Sequence, residues 1–413
     1  MEPPKASVDV AGWWDAGYKT TVFVFAESAS PKIRGTALDY GRTIMFIRPN
    51  FFDGLEFFGK QGAGEARGDF VRRIDLDLHE WKDMTFSLTS TLDLATGEGL
   101  LGPDIAEKLE PFKFAEAPAV KASGHFDGPA APGGEHQTMK IEARSTGAFS
   151  VYDFPARNLS FDATLQDEEL SVERVEADVA SGRLAGRAHL SGAAHERKLD
   201  FDITLREAVL SEAVTLVSSY KAQLRGEPET PGENVLTGKG QVKFDLALAA
   251  AGNFDDLLSY QGNGNAQLSG AELGEVKLLG LLSDLLDFTA LRFTTARLDF
   301  QLLGKDVVFP SLSVTGENSA IEGHGDYSLA NDQMDFNARV YPFQESKSII
   351  QTMVGAMLTP LSTVLEVKLT GPLKQPRWAF VIGPTNFFRS LSQSGKVETP
   401  IAPEDAPSTY LKR

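Results

Sequence analysis

The side chains in this chain that could act in catalysis or metal binding are scattered. None of the histidines has another at metal-ligand spacing, and His189 and His195 flank a predicted hairpin turn. Asp75, Asp77 and His79 alternate along the segment IDLDLHE, and we interpret them as the wet face of a strand rather than as a metal site. The six histidines are His79, His125, His136, His189, His195 and His324.

The sequence motifs that carry enzymatic chemistry are also missing. The glycine-rich segment 59–68 lacks the Gly-Lys-Ser/Thr of a phosphate loop, so we interpret it as a flexible hairpin loop, and GNGN at 262–265 as a turn. No Gly-x-Ser-x-Gly or His-Glu-x-x-His occurs, and the absence of cysteine excludes disulfides, thiolate catalysis and cysteine zinc sites. We therefore predict a protein that is not an enzyme and has no cofactor, no catalytic residue and no metal.

The charge balance excludes one class of partner. A formal net charge of −17 with scattered Lys and Arg argues against nucleic acid, and charge alone would not draw the chain to an anionic lipid surface. No segment reaches the roughly 18 apolar residues of a membrane-spanning helix, and the first residues do not resemble a signal peptide. We expect a membrane anchor to lie upstream of this sequence.

Alternation of apolar and polar residues with a period of two dominates the chain and predicts β-strands. Glycine, asparagine and aspartate mark the turns between them. The predicted strands are 20–26, 43–48, 72–78, 85–94, 140–144, 159–165, 169–180, 183–190, 199–205, 240–249, 263–268, 297–302, 306–315, 320–328, 334–341, 365–369 and 377–382.

Helical periodicity is rarer. It predicts helices over 274–291, 211–224, 346–358 and 103–109. Helix 274–291 either plugs or caps the sheet, or it gates the groove or touches a bilayer. The segment RPNFFDGLEFFGK at 48–60 forms either a core corner or an interfacial contact. Residues 128–136 and 225–234 are interpreted as loops, and 391–413 as a disordered tail.

One meander of about four strands occurs at least twice. At an offset of 137 residues, Phe161 aligns with Leu298, Val172 with Phe309, and the intervening turns coincide. After the next turn the offset falls to 135, a change that a hairpin loop absorbs. Repetition of a meander predicts an extended sheet assembled unit by unit.

Each predicted strand has one apolar and one polar face, and the apolar face must be covered. A second sheet, helices at the ends of a curled sheet, or lipid tails on an open curled sheet would all do so. In the third case the candidate lining of the lipid groove is Phe161, Leu165, Phe201, Leu298, Phe300, Leu302, Val307, Phe309, Leu312, Val314, Ile321 and Phe336.

The C-terminal region resembles that of AsmA-like proteins. The resemblance covers about 161–382 and rests on the order of its blocks. These are the leucine-rich helix, LRFTTARLDFQL, SLSVTGENSAIEGHGDYSL, QMDFNARVYP, and the final VLEVKLTGPLKQPRWAF at 364–380.

This resemblance implies a mostly β fold: an elongated, curled antiparallel sheet that forms a groove, built from repeated meanders with a few short capping helices. It implies a β-rich groove segment over 1–150 and an AsmA-like groove region over 151–390. It further implies a periplasmic, inner-membrane-associated protein of the Gram-negative envelope that carries phospholipid towards the outer membrane, with membrane contact and envelope proteins as further partners.

Physical chemistry supports a lipid groove independently. A two-chain lipid has about 30 CH₂ groups, so at about 0.8 kcal/mol each its exposure to water costs on the order of 20 kcal/mol. Two alternatives remain: a periplasmic scaffold or assembly factor for outer-membrane proteins that binds partner strands at its sheet edge, and a secreted β-sandwich enzyme or carbohydrate binder.

Overall fold

The computed structural model describes residues 4–13, 16–193, 196–225, 242–270, 273, 293–317, 319–341, 365–372 and 375–382. Strands dominate this part of the chain. The strands are β1 Lys5–Trp13, β2 Ala16–Ala29, β3 Lys32–Ile33, β4 Thr36–Ala37, β5 Tyr40–Arg48, β6 Phe51–Gln61, β7 Gly64–Asp75, β8 Glu80–Ser90, β9 Phe112–Phe114, β10 Ala119–Asp127, β11 Gln137–Arg144, β12 Ala148–Val151, β13 Phe154–Gln166, β14 Glu169–Val179, β15 Gly182–Ser191, β16 Lys198–Val209, β17 Lys243–Asn253, β18 Gln261–Ser269, β19 Phe293–Leu303, β20 Asp306–Gly316, β21 Ala320–Ser328, β22 Gln333–Tyr341, β23 Leu365–Pro372 and β24 Arg377–Ile382. The helices are α1 Leu94–Leu101, α2 Pro103–Leu109 and α3 Leu210–Arg225, with a 3₁₀ turn at Leu257–Ser259.

The strands form one antiparallel sheet of 22 strands, and β3 and β4 form a small separate ribbon. Strands β9 and β12 form a side branch, in which β9 pairs with β12 and β12 pairs with the start of β13. The other strands of the sheet follow one another in chain order. Among the described strands, β1 and β24 each pair on one side only and not with each other, so the sheet is open. At about 4.8 Å per strand it measures about 90 Å along its surface, which makes it elongated. The predicted mostly β, antiparallel fold with few short helices is confirmed.

The two halves of the internal repeat have the same register. Strands β14 and β20 begin and end at the same 137-residue offset. The register of β13 with β14 shifts after Asp162, and that of β19 with β20 shifts after the equivalent Asp299. A β-bulge adds local bend and twist, so the repeat reproduces the shape of the sheet as well as its sequence.

The strand connections divide the sheet into two long rims. At one rim, which we call the turn rim, the connections are short turns, such as 76–79, 304–305 and 329–332. The opposite rim, the helix rim, holds α1 and α2 between β8 and β9, and α3 after β16. Because consecutive strands run in opposite directions, every connection falls at one of these two rims.

Three clusters of buried apolar side chains lie along the helix rim. The largest joins Leu210 of α3 to the strand ends Phe293, Ile321, Val340 and Leu365. Another joins Val179, Leu205 and Ala208 to Leu216 of α3. The helix therefore covers part of one sheet face, and the ring of its Tyr220 lies edge-on to Phe154 at 5.5 Å.

Two of the predicted helices are confirmed. Segment 211–224 forms α3, and 103–109 forms α2, which starts with a proline at its first position. The predicted strand 85–94 ends at Ser90, because the Asp93 side chain accepts a hydrogen bond from Thr96 N and caps α1. The predicted loop 128–136 is confirmed. The predicted helices 274–291 and 346–358, nearly all of loop 225–234 and the tail 391–413 lie outside the described residues.

Three local predictions were wrong. GNGN at 262–265 is not a turn but lies within strand β18. Residues 59–68 are strand rather than flexible loop, with only a tight turn at 62–63. Gly59, Gly64 and Gly68 occupy strand positions that face the apolar side, and Gly62 lies in the turn. The predicted strand 72–78, with Asp75, Asp77 and His79 on one face, ends at Asp75. The Asp75 carboxylate accepts hydrogen bonds from the backbone N–H groups of Leu78 and Asp77 and folds the chain into a turn. Those hydrogen bonds hold the pKa of Asp75 below its usual value.

Replacing a leucine of the closed core should cost far more stability than replacing a leucine of the open face. Leu365 is 1% exposed, whereas Leu199 is half-buried on the same face of the sheet. We expect Leu365→Ala to lower the free energy of unfolding by about 2–5 kcal/mol. We expect Leu199→Ala to lower it by less than about 1.5 kcal/mol. Urea unfolding measures both, and equal losses would contradict a closed core at the helix rim.

Candidate functional site

The candidate site is one face of the sheet, which is apolar from the first strand to the last. In the N-terminal strands, the register aligns apolar residues or glycine directly across β1, β2, β5–β8, β10, β11, β13 and β14. This row is Val8, Val24, Met45, Gly54, Phe70, Phe86, Gly124, Met139, Leu165 and Leu170. A second row crosses β14 to β24. It consists of Ala177, Leu184, Leu205, Leu246, Ala266, Leu298, Leu312, Gly323, Ala338, Val367 and Phe380.

Burial on this apolar face varies from rim to rim. The side chains near the helix rim belong to the closed clusters, whereas Leu165, Leu170, Leu190 and Leu199, near the turn rim, are only half-buried. Val8 and Val10 on the edge strand β1 are 56% and 65% exposed. The apolar face therefore has a covered margin and an open strip, and the open strip continues towards the turn rim.

The structure places the candidate groove residues on this face, in two different settings. Nine of them are half-buried: Phe161, Leu165, Phe201, Leu298, Phe300, Leu302, Phe309, Leu312 and Phe336. The other three are buried: Val307 at 7%, Val314 at 3% and Ile321 at 1%. Val314 and Ile321 pack into the core cluster with Leu210, so their contacts are with protein.

Phenylalanine rings on the open strip lie over glycines of neighbouring strands. A Cβ at Gly124 would come within 2.6 Å of Phe86 Cε1, and a Cβ at Gly325 within 2.6 Å of Phe336 Cγ. The rings of Phe309 and Phe336 are 5.1 Å apart, centroid to centroid. Each ring fills the space that its cross-strand glycine leaves, so the apolar surface is smoother there.

The pairing of phenylalanine with glycine was not apparent from the sequence, and the groove segment predicted over 1–150 came without named lining residues. A signal was present, because glycines occupy inward positions of the period-two alternation. The segment 48–60 is not a core corner but mainly strand β6, with Phe52 and Phe57 on the apolar face and Phe51 and Phe58 on the other.

The opposite face of the sheet carries the ion pairs of the strands. Arg42 and Arg67 bind Glu56 at 2.7 and 3.0 Å, and Arg144 and Arg174 bind Asp162 at 2.6 and 2.5 Å. The hydrogen bond from Arg144, together with that from Arg174, holds the pKa of Asp162 below its usual value. These ion pairs join adjacent strands on the polar face and stabilise their register.

Polar chemistry on the apolar face is sparse. Tyr260 is 9% exposed beside the ring of Phe201, at 5.8 Å, and burial raises the pKa of its phenol. Across the described ranges, no group of three or more His, Cys, Asp or Glu side chains is arranged to hold a metal ion. Among the same residues, no helix is long and apolar enough to cross a membrane.

Comparisons with known proteins give no relative for this chain. No protein-family model matches it, no curated protein matches it, and no solved structure matches it.

The low pKa of Asp162 predicts a pH-dependent contribution to stability. Because the folded pKa lies below that of an unfolded aspartate, about 4, the contribution is present above about pH 4 and is lost as the pH falls through the folded pKa. Asp162→Asn should therefore lower the thermal midpoint at pH 6 and leave it unchanged at the acid end of the profile. The measurement is the midpoint of wild type and variant from pH 6 to pH 2.5.

The repeat supplies the matched control. Asp299 is the equivalent residue in the second repeat, and it makes no ion pair within the described part of the chain. Asp299→Asn should leave the midpoint unchanged at pH 6. An equal loss in both variants would show that the pairs around Asp162 contribute nothing specific.

Proposed function

We propose that this protein holds the acyl chains of phospholipids along the apolar face of its sheet and conducts them between the inner and outer membranes of a Gram-negative envelope. The observation that carries the proposal is the unbroken apolar strip from β1 to β24, half-buried towards the turn rim. In this role the protein acts as a non-enzymatic, AsmA-like lipid carrier of the periplasm, without cofactor or metal. The envelope location follows from the family resemblance of the sequence.

The energetics favour lipid as the cover of this strip. Half-buried leucine and phenylalanine side chains gain about 25 cal/mol for each Å² of apolar surface removed from water. Acyl chains gain in the same contact, since each CH₂ contributes about 0.8 kcal/mol. Neither gain depends on the orientation of the contacting groups. A lipid can therefore move from strand to strand past interchangeable side chains without breaking a specific bond.

The smooth surface favours movement as well as binding. Where phenylalanine rings cover glycines of neighbouring strands, the strands present similar contours to an acyl chain. The ion pairs around Glu56 and Asp162 stand on the opposite face. A lipid on the apolar strip therefore meets few barriers along the sheet.

The first test asks whether purified protein carries phospholipid. Lipid extraction and mass spectrometry should find at least one phospholipid per chain in the full-length protein. Phe201→Lys places a charge on the open strip and should reduce bound lipid several-fold. Asp200→Lys, on the opposite face of the same strand, should leave it unchanged. Lipid-free protein that captures an unfolded β-strand peptide would instead favour the scaffold that binds strands at its edge.

A second test concerns the surface of the strip. A Cβ at Gly54 would overlap the ring of Phe57 and lie 2.9 Å from Phe70 Cε1, and no backbone atom is among its three nearest neighbours. Gly54→Val should therefore raise these rings from the sheet and slow lipid transfer between donor and acceptor vesicles several-fold. The fold should persist, because only side-chain ends need to move.

The control for this substitution is Gly133→Val, in the loop between β10 and β11, where an added Cβ meets nothing within 4 Å. It should transfer lipid at the wild-type rate. Unchanged transfer in Gly54→Val, with its fold intact by circular dichroism, would contradict movement of lipid along the N-terminal strands.

A further inference from the structure

Four leucines stand exposed on three neighbouring turns of the turn rim. Leu257 is 72% exposed, Leu258 45%, Leu303 52% and Leu329 38%. They lie at the β17–β18, β19–β20 and β21–β22 connections. We call these four residues the leucine patch. A single exposed leucine needs no explanation, but four on adjacent turns form an apolar surface that water does not favour.

Backbone hydrogen bonds join the three turns into one unit. Gly304 N donates to Tyr260 O at 2.9 Å, and Leu329 N donates to Lys305 O at 2.8 Å. The close approach requires glycine at 304, where φ is +72° and a Cβ would lie 2.8 Å from Leu258 O. The three turns that carry the leucine patch are therefore held side by side by their backbones.

Several polar groups of the turn that carries Leu257 and Leu258 form hydrogen bonds within that turn. Leu258 N donates to Asp256 Oδ1 at 2.9 Å, Asn253 N donates to Ser259 Oγ at 2.7 Å, and Ser259 Oγ donates to Asp256 O at 2.6 Å. Entering a less polar medium is costly for backbone groups that lose water without another partner. This turn can present its leucines to such a medium at a lower cost than an open loop.

We propose that the leucine patch inserts into the interfacial layer of a zwitterionic lipid bilayer. Asp255, Asp256, Asp306 and Asp332 flank the patch, and Lys305 is the cation of its turns. With a net charge of −17 on the chain, an anionic surface would repel this rim. A neutral headgroup layer takes the leucines without that repulsion, so apolar insertion drives the contact.

The position of the leucine patch places the proposed bilayer contact beside the open strip. Leu303 follows Leu302, which lies on the open strip, and the 3₁₀ turn leads directly into the buried Tyr260 of the apolar face. A bilayer at the patch would therefore meet the strip at the turn rim, where a lipid could pass between them. This passage rests on the proposed function, whereas the contact itself does not.

Flotation with vesicles tests the contact. The full chain should float with phosphatidylcholine vesicles, and less with vesicles in which a third of the lipid is phosphatidylglycerol. The double variant Leu257→Ser with Leu258→Ser should bind phosphatidylcholine about tenfold more weakly. The matched control replaces Leu76 and Leu78, an exposed pair of 46% and 60% on the β7–β8 turn, and should bind as wild type.

A second readout uses the absence of cysteine from the chain. Leu257→Cys and Leu78→Cys each carry one environment-sensitive dye. The dye at 257 should brighten and shift to the blue with phosphatidylcholine vesicles, and the dye at 78 should not. Sedimentation of the free protein shows whether the patch instead joins two copies.

The outcomes separate this inference from the proposed function. Equal loss of binding in both leucine pairs, no spectral shift at 257, or a dimer that the double variant dissolves while vesicles stay unbound would each overturn the leucine patch as a bilayer contact. A double variant that keeps its co-purified phospholipid but no longer floats supports the patch and leaves the groove intact. Patch-dependent flotation of a protein that carries no phospholipid supports the patch and contradicts the groove.

Discussion

The period-two alternation of the strands, kept in register across the whole sheet, is the constraint on which the structure depends. It places apolar side chains on one face and ion pairs on the other. A slip of one residue in any strand would exchange the two faces of that strand. Because the long strands follow one another in a single sheet, the described part of the chain has no second sheet larger than the β3–β4 ribbon to cover the apolar face.

The helices resolve part of this problem. They lie at one rim, where α3 and the strand ends form closed clusters around Leu210, Leu205 and Ile321. Stability is concentrated there, while the strip towards the turn rim remains half-buried. This division lets one sheet combine a conventional core with a surface free to take a ligand, since the residues that hold the fold are largely not those that stay open.

The repeat explains how such a length of sheet arises. Each meander presents a free edge that the next meander extends, as in other repetitive folds whose units contact mainly their neighbours. The shared bulges after Asp162 and Asp299 bend both units alike. Where glycines lie beneath phenylalanine rings, the apolar surface stays even from strand to strand. A long apolar surface is thus built from local rules applied repeatedly.

The sequence by itself determined most of the strands and their two faces, the repeat and the helices α2 and α3, because alternation and helical periodicity are local properties of the chain. It missed β1, β6 and β10. Gly68 and its neighbours were misinterpreted as loop, since glycine is ambiguous until a strand partner is known. Only the tertiary structure decided that Val314 and Ile321 are closed core while Phe201 and Leu165 remain half-buried. Burial depends on α3 and on residues distant in sequence, and no local pattern records where those elements pack.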